Sequence, residues 1–287
     1  MPNIEKICPY STCKNRLKSS KRHGFFRIIR TNTIIRRYKC QHCKKTFSSR
    51  TSAPDYRHKK RDLNAQLSSL MCKGTTIRDC ARYLGMTYKN TFRKFHWLAK
   101  QAEEYKNKLK FNATELYFDE METIEHTKCK PLAIFLFVNE KYEILEAKVA
   151  RMPAKGKLSE FSKKKYGKRI DETSKIAEIS FAQIKRKLKA PPKALLSDGK
   201  LSYQSLATKH FPKIPHFIHT RADKDRHRDR LHEIHHKKRY DPMFVINQRC
   251  AKLRSQIKRL ARRSWCTTKK PENLQKHLDI FIAAQFQ

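Results

Sequence analysis

Two short apolar segments each run into an aspartate: Leu116-Tyr117-Phe118-Asp119-Glu120 and Ala194-Leu195-Leu196-Ser197-Asp198-Gly199. Short apolar runs of this kind read as buried strands. They constrain the fold because little else can build a core. The chain carries 67 Lys+Arg against 26 Asp+Glu, a formal net charge of +41, and only 38% hydrophobic residues. A polycation attracts polyanions, most commonly nucleic acid. Carboxylates repel phosphate, so acids in a phosphate-binding cleft need another purpose. The simplest is to hold Mg²⁺ or Mn²⁺, which bridges carboxylate and phosphate oxygens and can drive attack on a phosphodiester.

A length of 287 residues suits one sizeable core with small appended modules. Apolar periodicity recurs from Leu63 onward and argues against disorder, despite 32% charged residues. The N-terminal residues 1–6 contain no apolar signal-peptide region. The longest apolar run, 132–138, is far too short to cross a bilayer. The expectation is a soluble, cytoplasmic chain without a membrane partner. In that reducing compartment the nine cysteines are thiols or metal ligands rather than disulfides.

Four cysteines have ligand spacing: Cys8 and Cys13 flank four residues, and Cys40 and Cys43 flank two. Two close pairs separated by a loop match a tetrahedral Zn²⁺ site. The intervening stretches 25–30 and 33–38 read as a hairpin, and Phe47 can pack beneath the metal. This arrangement looks like a zinc ribbon over 1–52, in which zinc supplies most of the folding free energy. His23 and His42 are substitute ligands of lower rank. The other cysteines, Cys72, Cys80, Cys129, Cys250 and Cys266, lack ligand spacing and read mainly as small core residues.

Residues 60–108 carry helical periodicity. Leu63, Leu67, Leu70 and Met71 line one face, and Gly74 interrupts it. Thr75 or Thr76 caps a short helix with Ile77, Cys80, Ala81 and Leu84 on its apolar side, Gly85 ends it, and Thr87 caps a third helix. The string from Ile77 to Thr91 resembles the helix-turn-helix of bacterial DNA-binding proteins. In that geometry the helix after Thr87 enters the major groove. Its exposed side chains are then Tyr88, Lys89, Asn90, Arg93 and Lys94, among which Asn and Arg suit base edges and Lys suits phosphate.

From residue 112 the pattern turns to strands: 115–120, a hairpin of 131–138 and 142–149, then 193–197 and 216–219. Helices are expected at 174–189, 201–209 and 242–263. The order resembles an RNase H-like α/β fold, a mixed five-stranded sheet with flanking helices, over 112–287. In such a fold the strands bearing Asp119 and Asp198 are neighbours. With the zinc ribbon and helical module in front, the chain resembles bacterial insertion-sequence transposases of the DDE type over nearly its full length. The tail segment Leu253-Arg254-Ser255-Gln256-Ile257-Lys258-Arg259-Leu260-Ala261-Arg262-Arg263-Ser264-Trp265-Cys266-Thr267-Thr268-Lys269 is similar to the last helix and following turn of the smallest such elements.

The resemblance implies that Asp119 and Asp198 hold two Mg²⁺ or Mn²⁺ ions for DNA strand cleavage and transfer. It implies double-stranded DNA as partner, both the element's terminal repeats and the target, and a homodimer or larger assembly on that DNA. It also implies a bacterial, nucleoid-associated location. A glutamate on the last helix completes the family's acidic set, but here that position falls on Asn247. Asp241, before Pro242, ranks with Asn247 as the third ligand, although Asp-Pro is also a plain helix start. Glu233 ranks behind both. Glu120 and Glu122 are not expected as ligands, since Glu120 points to the opposite sheet face from Asp119.

Basic stretches at 163–169 and 221–239, with Arg254, Lys258 and Arg262 on the last helix, suit phosphate tracking. The histidines His232, His235 and His236 read as phosphate contacts or exposed groups. Trp265 either packs on the sheet or stacks on a base. Two rival functions remain: a DNA-binding regulator with a dead site, and an RNA-processing nuclease.

Overall fold

The computed structural model describes residues 7–14, 20–219, 241–261 and 266–286. They fall into two compact units, Met1–Gln66 and Leu67–Gln287.

The first unit holds a three-stranded antiparallel sheet of β1 (Ser20–Ile28), β2 (Thr33–Cys40) and β3 (Thr46–Ser48), in that order. Asn32, at φ 51°, turns the chain between β1 and β2. The unit buries few large side chains. Tyr38 and Phe47 stack with ring centroids 5.8 Å apart and share a small cluster with Cys8, Cys13 and Cys40. Phe47 thus packs beside the cysteines, as its place after the second pair suggests.

Helix α1 (Asn64–Met71) spans the boundary between the units. Helices α2 (Ile77–Tyr83) and α3 (Tyr88–Lys108) follow, and both start as the sequence indicates. Thr76 Oγ1 accepts from Asp79 N at 3.1 Å, and Thr87 Oγ1 from Asn90 N at 3.3 Å. Gly85, at φ 55°, ends α2 in the left-handed region. The described residues from Leu67 onward, α2 and α3 among them, fall in one compact unit with the strands.

That unit is α/β. Its sheet comprises β4 (Glu115–Glu125), β5 (Thr127–Asn139), β6 (Ile144–Arg151), β7 (Ala194–Asp198) and β8 (His216–His219), in the order β6-β5-β4-β7-β8. β4, β5 and β6 are antiparallel, while β7 runs parallel to β4 and β8 to β7. This mixed five-stranded sheet is compatible with an RNase H-like core. Among the described residues, five further helices flank it: α4 (Leu158–Tyr166), α5 (Thr173–Lys187), α6 (Leu201–His210), α7 (Phe244–Gln256) and α8 (Pro271–Gln285).

The sheet is covered on both faces. On one, Tyr117, Met121 and Ile134 pack with Ile246 and Leu253 of α7 and Leu278 of α8. On the other, Phe118, Phe135 and Phe137 pack with Phe181 of α5 and Tyr203 of α6. β5 therefore faces apolar neighbours on both sides, which is why residues 132–138 form an unbroken apolar run rather than an alternating one.

Two features differ from expectation. The helix expected over 242–263 stops at Gln256. In a continuing helix the Gln256 carbonyl would accept from Leu260 N. Instead it accepts from Gly74 N at 2.7 Å, and Leu260 N bonds Ile257 O at 2.8 Å. Gly74 sits at φ 74°, and a Cβ there would lie 2.9 Å from Ser255 O, so no larger residue fits this contact without a shift. The second feature is α8, absent from the sequence reading. It begins with Pro271 and Glu272, a good helix start, and buries Leu274, Leu278 and Ile282.

α8 also completes a buried group of charges. Lys106 Nζ on α3 lies 2.7 Å from Glu146 Oε1 on β6 and 2.6 Å from Asp279 Oδ1 on α8. Lys187 Nζ on α5 lies 2.7 Å from Glu146 Oε2. All four side chains are buried, with two cations matched to two anions. Burial alone would raise the Glu146 carboxyl, but Lys106 and Lys187 outweigh it and hold the group below its usual range. The cluster ties α3 to the sheet.

Candidate functional site

The parallel pairing of β4 with β7 sets Glu115 opposite Ala194, Leu116 opposite Leu195 and Tyr117 opposite Leu196. Two residues further at the same offset, Asp119 stands level with Asp198. Tyr117 and Leu196 both belong to the cluster under α7 and α8. Side chains alternate along a strand, so both aspartates share that face. They are electrostatically coupled. Burial, and then the negative charge of Asp198, push the Asp119 carboxyl up to about 7, against the pull of the Glu120 N–H and of Lys200. Asp119 Oδ1 accepts from Glu120 N at 2.7 Å, and Asp198 Oδ1 accepts from Lys200 N at 3.2 Å.

Glu120 stands on the other face, as expected from the alternation. Lys200 Nζ lies 2.6 Å from Glu120 Oε1 and 5.3 Å from the centre of the Tyr203 ring. Tyr203 is fully buried, with its hydroxyl beside the Glu120 backbone. Burial, then Glu120, Asp119 and Asp198 in turn, raise its ionisation far above the ordinary phenol range. No sequence motif marks Lys200 or Tyr203. The nearest signal was position alone, since both closely follow Asp198. Glu122 pairs with Lys155 on the surface at 2.9 Å.

Helix α7 crosses the face that holds the aspartates. The Cys250 thiol there is pushed up to about 12, by burial first and then by the Asp119 charge. One turn earlier, Asn247 is exposed. Its Nδ2 donates to Asp241 Oδ2 at 3.3 Å, and Asp241 Oδ1 accepts from Met243 N at 3.0 Å. The two candidates for a third ligand thus touch each other, with Asp241 bracing the start of α7. Glu233, Arg262, Trp265, the three histidines from His232 to His236 and the basic stretch 221–239 lie outside the described residues.

Asp119 and Asp198 offer hard oxygen donors, and their mutual repulsion is what a divalent cation would relieve. Mg²⁺ is commonly held by one or two carboxylates, completed by water and phosphate oxygens, so the pair suits it chemically. Among the described residues, the four cysteines form the one group of three or more His, Cys, Asp or Glu side chains close enough to share an ion.

Those four, Cys8, Cys13, Cys40 and Cys43, have sulfurs within 4.8 Å of one another. Cys8 Sγ lies 3.7 Å from Cys43 Sγ, and Cys13 Sγ 3.8 Å from Cys40 Sγ. Tetrahedral zinc thiolates at about 2.3 Å require sulfurs about 3.8 Å apart, so this group could bind a metal such as zinc. Local backbone shapes both pairs. Cys13 N donates to Tyr10 O at 3.0 Å, and Lys44 N donates to Cys40 O at 3.1 Å with Lys44 at φ 59°. The N–H groups of Cys43 and His42 lower the Cys40 thiol to about 7, while burial raises Cys8 to about 12.

Four of the five side chains expected to be exposed on α3 are so. Tyr88, Lys89, Asn90 and Arg93 are exposed on α3. Lys94 is not. It is 6% exposed, on the stripe with Thr91, Phe95 and Ala99 that faces the protein interior. Its residue type suggested solvent, but its helical position decides otherwise. Arg254 and Lys258 are half-buried.

Comparison with known protein families and with curated proteins finds no match to this chain.

Proposed function

We propose that the chain is a metal-dependent DNA transposase. In this reading a zinc ribbon and a helix-turn-helix precede an RNase H-like core that cuts and joins strands at an element's terminal repeats. The observation that carries the reading is the level, same-face placement of Asp119 and Asp198 on adjacent parallel strands in a chain of net charge +41. Nothing in the stability of the fold calls for two repelling carboxylates there, whereas phosphodiester chemistry does.

Asp119 and Asp198 would hold Mg²⁺ or Mn²⁺, which when bound activates a nucleophilic oxygen and stabilises the leaving one. The remaining roles belong to the chain. Lys200 lies close enough to offset the charge on Asp119 and is held by Glu120. Asp241 orients Asn247, whose amide carbonyl supplies a neutral third oxygen donor. Tyr88, Lys89, Asn90 and Arg93 meet the duplex, with Arg254, Lys258 and Arg262 on phosphates, in an assembly of at least two copies. The buried charges around Lys106 hold α3 at a fixed angle to the sheet, so DNA gripped by α3 is presented to the carboxylates in one orientation.

The test is nicking of a duplex carrying the element's ends, with Mg²⁺, by the full chain and by its Asp119→Asn and Asp198→Asn variants. Nicking by the wild type alone supports the reading; nicking that survives both substitutions overturns it. The neutral Asn247 favours a second reading, a regulator that binds DNA without cutting. Tight, salt-sensitive binding with no nicking by any form would select it.

A further inference from the structure

We propose that the β1–β2 ribbon is a second contact for duplex DNA, separate from α3. The register places Phe25 opposite Arg36 and Arg27 opposite Ile34. By the alternation of strand side chains these four share one face. Phe25 is 64% and Ile34 61% exposed, and both arginines are exposed as well. On the other face Ile28, Ile35 and Arg37 are half-buried and Phe26 is 37% exposed; further along β2 the face of Ile34 and Arg36 runs into the buried Tyr38 and Cys40, so its exposed part is the hairpin end. That part is a checkerboard of two large apolar side chains and two guanidinium groups.

Large apolar groups left in water on a small unit mark an interaction surface, and the charge identifies the partner. From Ser20 to Cys40 there is no Asp or Glu, and every full charge is Lys or Arg. A protein partner would need an unusually acidic face to offset this, whereas DNA supplies such charge along its length. A two-stranded ribbon fits the major groove, where arginine pairs with phosphate or guanine and apolar side chains meet thymine methyl groups. The bulge between Arg22 and Phe25, with Gly24 at φ 74°, twists the ribbon further, as following a groove requires. The proposal rests on the DNA-binding part of the functional reading and not on strand cutting.

The experiment is fluorescence anisotropy of a short labelled duplex of mixed sequence with the full zinc-loaded chain, over a salt series without Mg²⁺. The variants are Arg27→Ala/Arg36→Ala and Phe25→Ala/Ile34→Ala. Zinc content and circular dichroism check that each retains its fold, which side chains on an exposed face should not disturb. Loss of two phosphate contacts should reduce the slope of log affinity against log salt by about 1.8. The apolar pair should weaken binding roughly fivefold or more and leave the slope unchanged, because no counterion is released by apolar contact. Wild-type binding undiminished in both variants sinks the ribbon alone; a wild type that binds no duplex sinks the DNA reading with it. Preference for single-stranded DNA or RNA would overturn the proposal. So would an apolar variant that changes only the sedimentation of the free protein.

Discussion

Replacing Asp119 by Asn should stabilise the fold while removing the proposed chemistry. The Asp119 carboxyl is lifted from 3.8 to about 7 by burial and by Asp198. At about 1.4 kcal/mol per pH unit, ionising it in the folded protein costs about 4 kcal/mol, and about 2 kcal/mol once partial exposure is allowed for. The sign follows from proton uptake. At pH below 3.8 both folded and unfolded chains carry the proton, and no penalty exists. Between 3.8 and about 7 the unfolded chain has released the proton and the folded one keeps it, so stability falls as pH rises. Above about 7 the penalty is complete. Asn resembles the protonated form at every pH, so the variant should gain nothing in acid and about 2 to 4 kcal/mol at pH 8. For a unit of this size that is roughly 4 to 16 °C in melting temperature. Urea denaturation of the full zinc-loaded chain at several pH values would read it. Mg²⁺ should stabilise the wild type and leave the variant unchanged. An Asn variant no more stable than wild type at pH 8, or a gap independent of pH, would refute the electrostatic argument.

Glu146→Gln leaves Lys106 and Lys187 buried with one acid between them, and should cost about 3 to 5 kcal/mol in denaturant unfolding; a neutral result would mean that water reaches the cluster. Stripping zinc with a chelator should unfold the first unit, seen as loss of its β signal and rapid proteolysis of residues 20–48, while the second unit keeps its melting transition. A first unit that keeps its fold without metal would contradict the cysteine assignment. Arg93→Ala should weaken duplex binding and lower the salt slope by about 0.9, whereas Lys94→Ala should reduce stability and leave that slope alone. The reverse pattern would mean that α3 meets DNA by another face.

The strands and the first helices were legible because their signals are local. The caps at Thr76 and Thr87 and the left-handed Gly85 define α2 and the start of α3 within a few residues. The unbroken apolar run 132–138 signals a strand covered on both sides. The level placement of Asp119 and Asp198 was legible only through the resemblance, since no local pattern brings together residues so far apart in the chain. Other features depend on tertiary contacts that a linear pattern does not carry. α7 ends at Gln256 because Gly74, far away in sequence, takes its carbonyl. The cluster of Lys106, Glu146, Lys187 and Asp279 draws one residue from each of four elements, and in so charged a chain such residues look like solvated surface. Lys94, buried on α3, carries the same misleading residue type. α8 has a readable start at Pro271 and an apolar stripe from Leu274, but the basic stretch before it carries no signal that another buried helix follows.

The pairing of Asp119 with Asp198 around a cation is tested most directly by Mn²⁺ binding to the full zinc-loaded chain, followed by electron paramagnetic resonance. A saturable site is expected in the wild type that either Asp119→Asn or Asp198→Asn abolishes, because each carboxylate alone holds the ion too weakly. Equal Mn²⁺ occupancy in the wild type and both variants, or none in any of them, would contradict it.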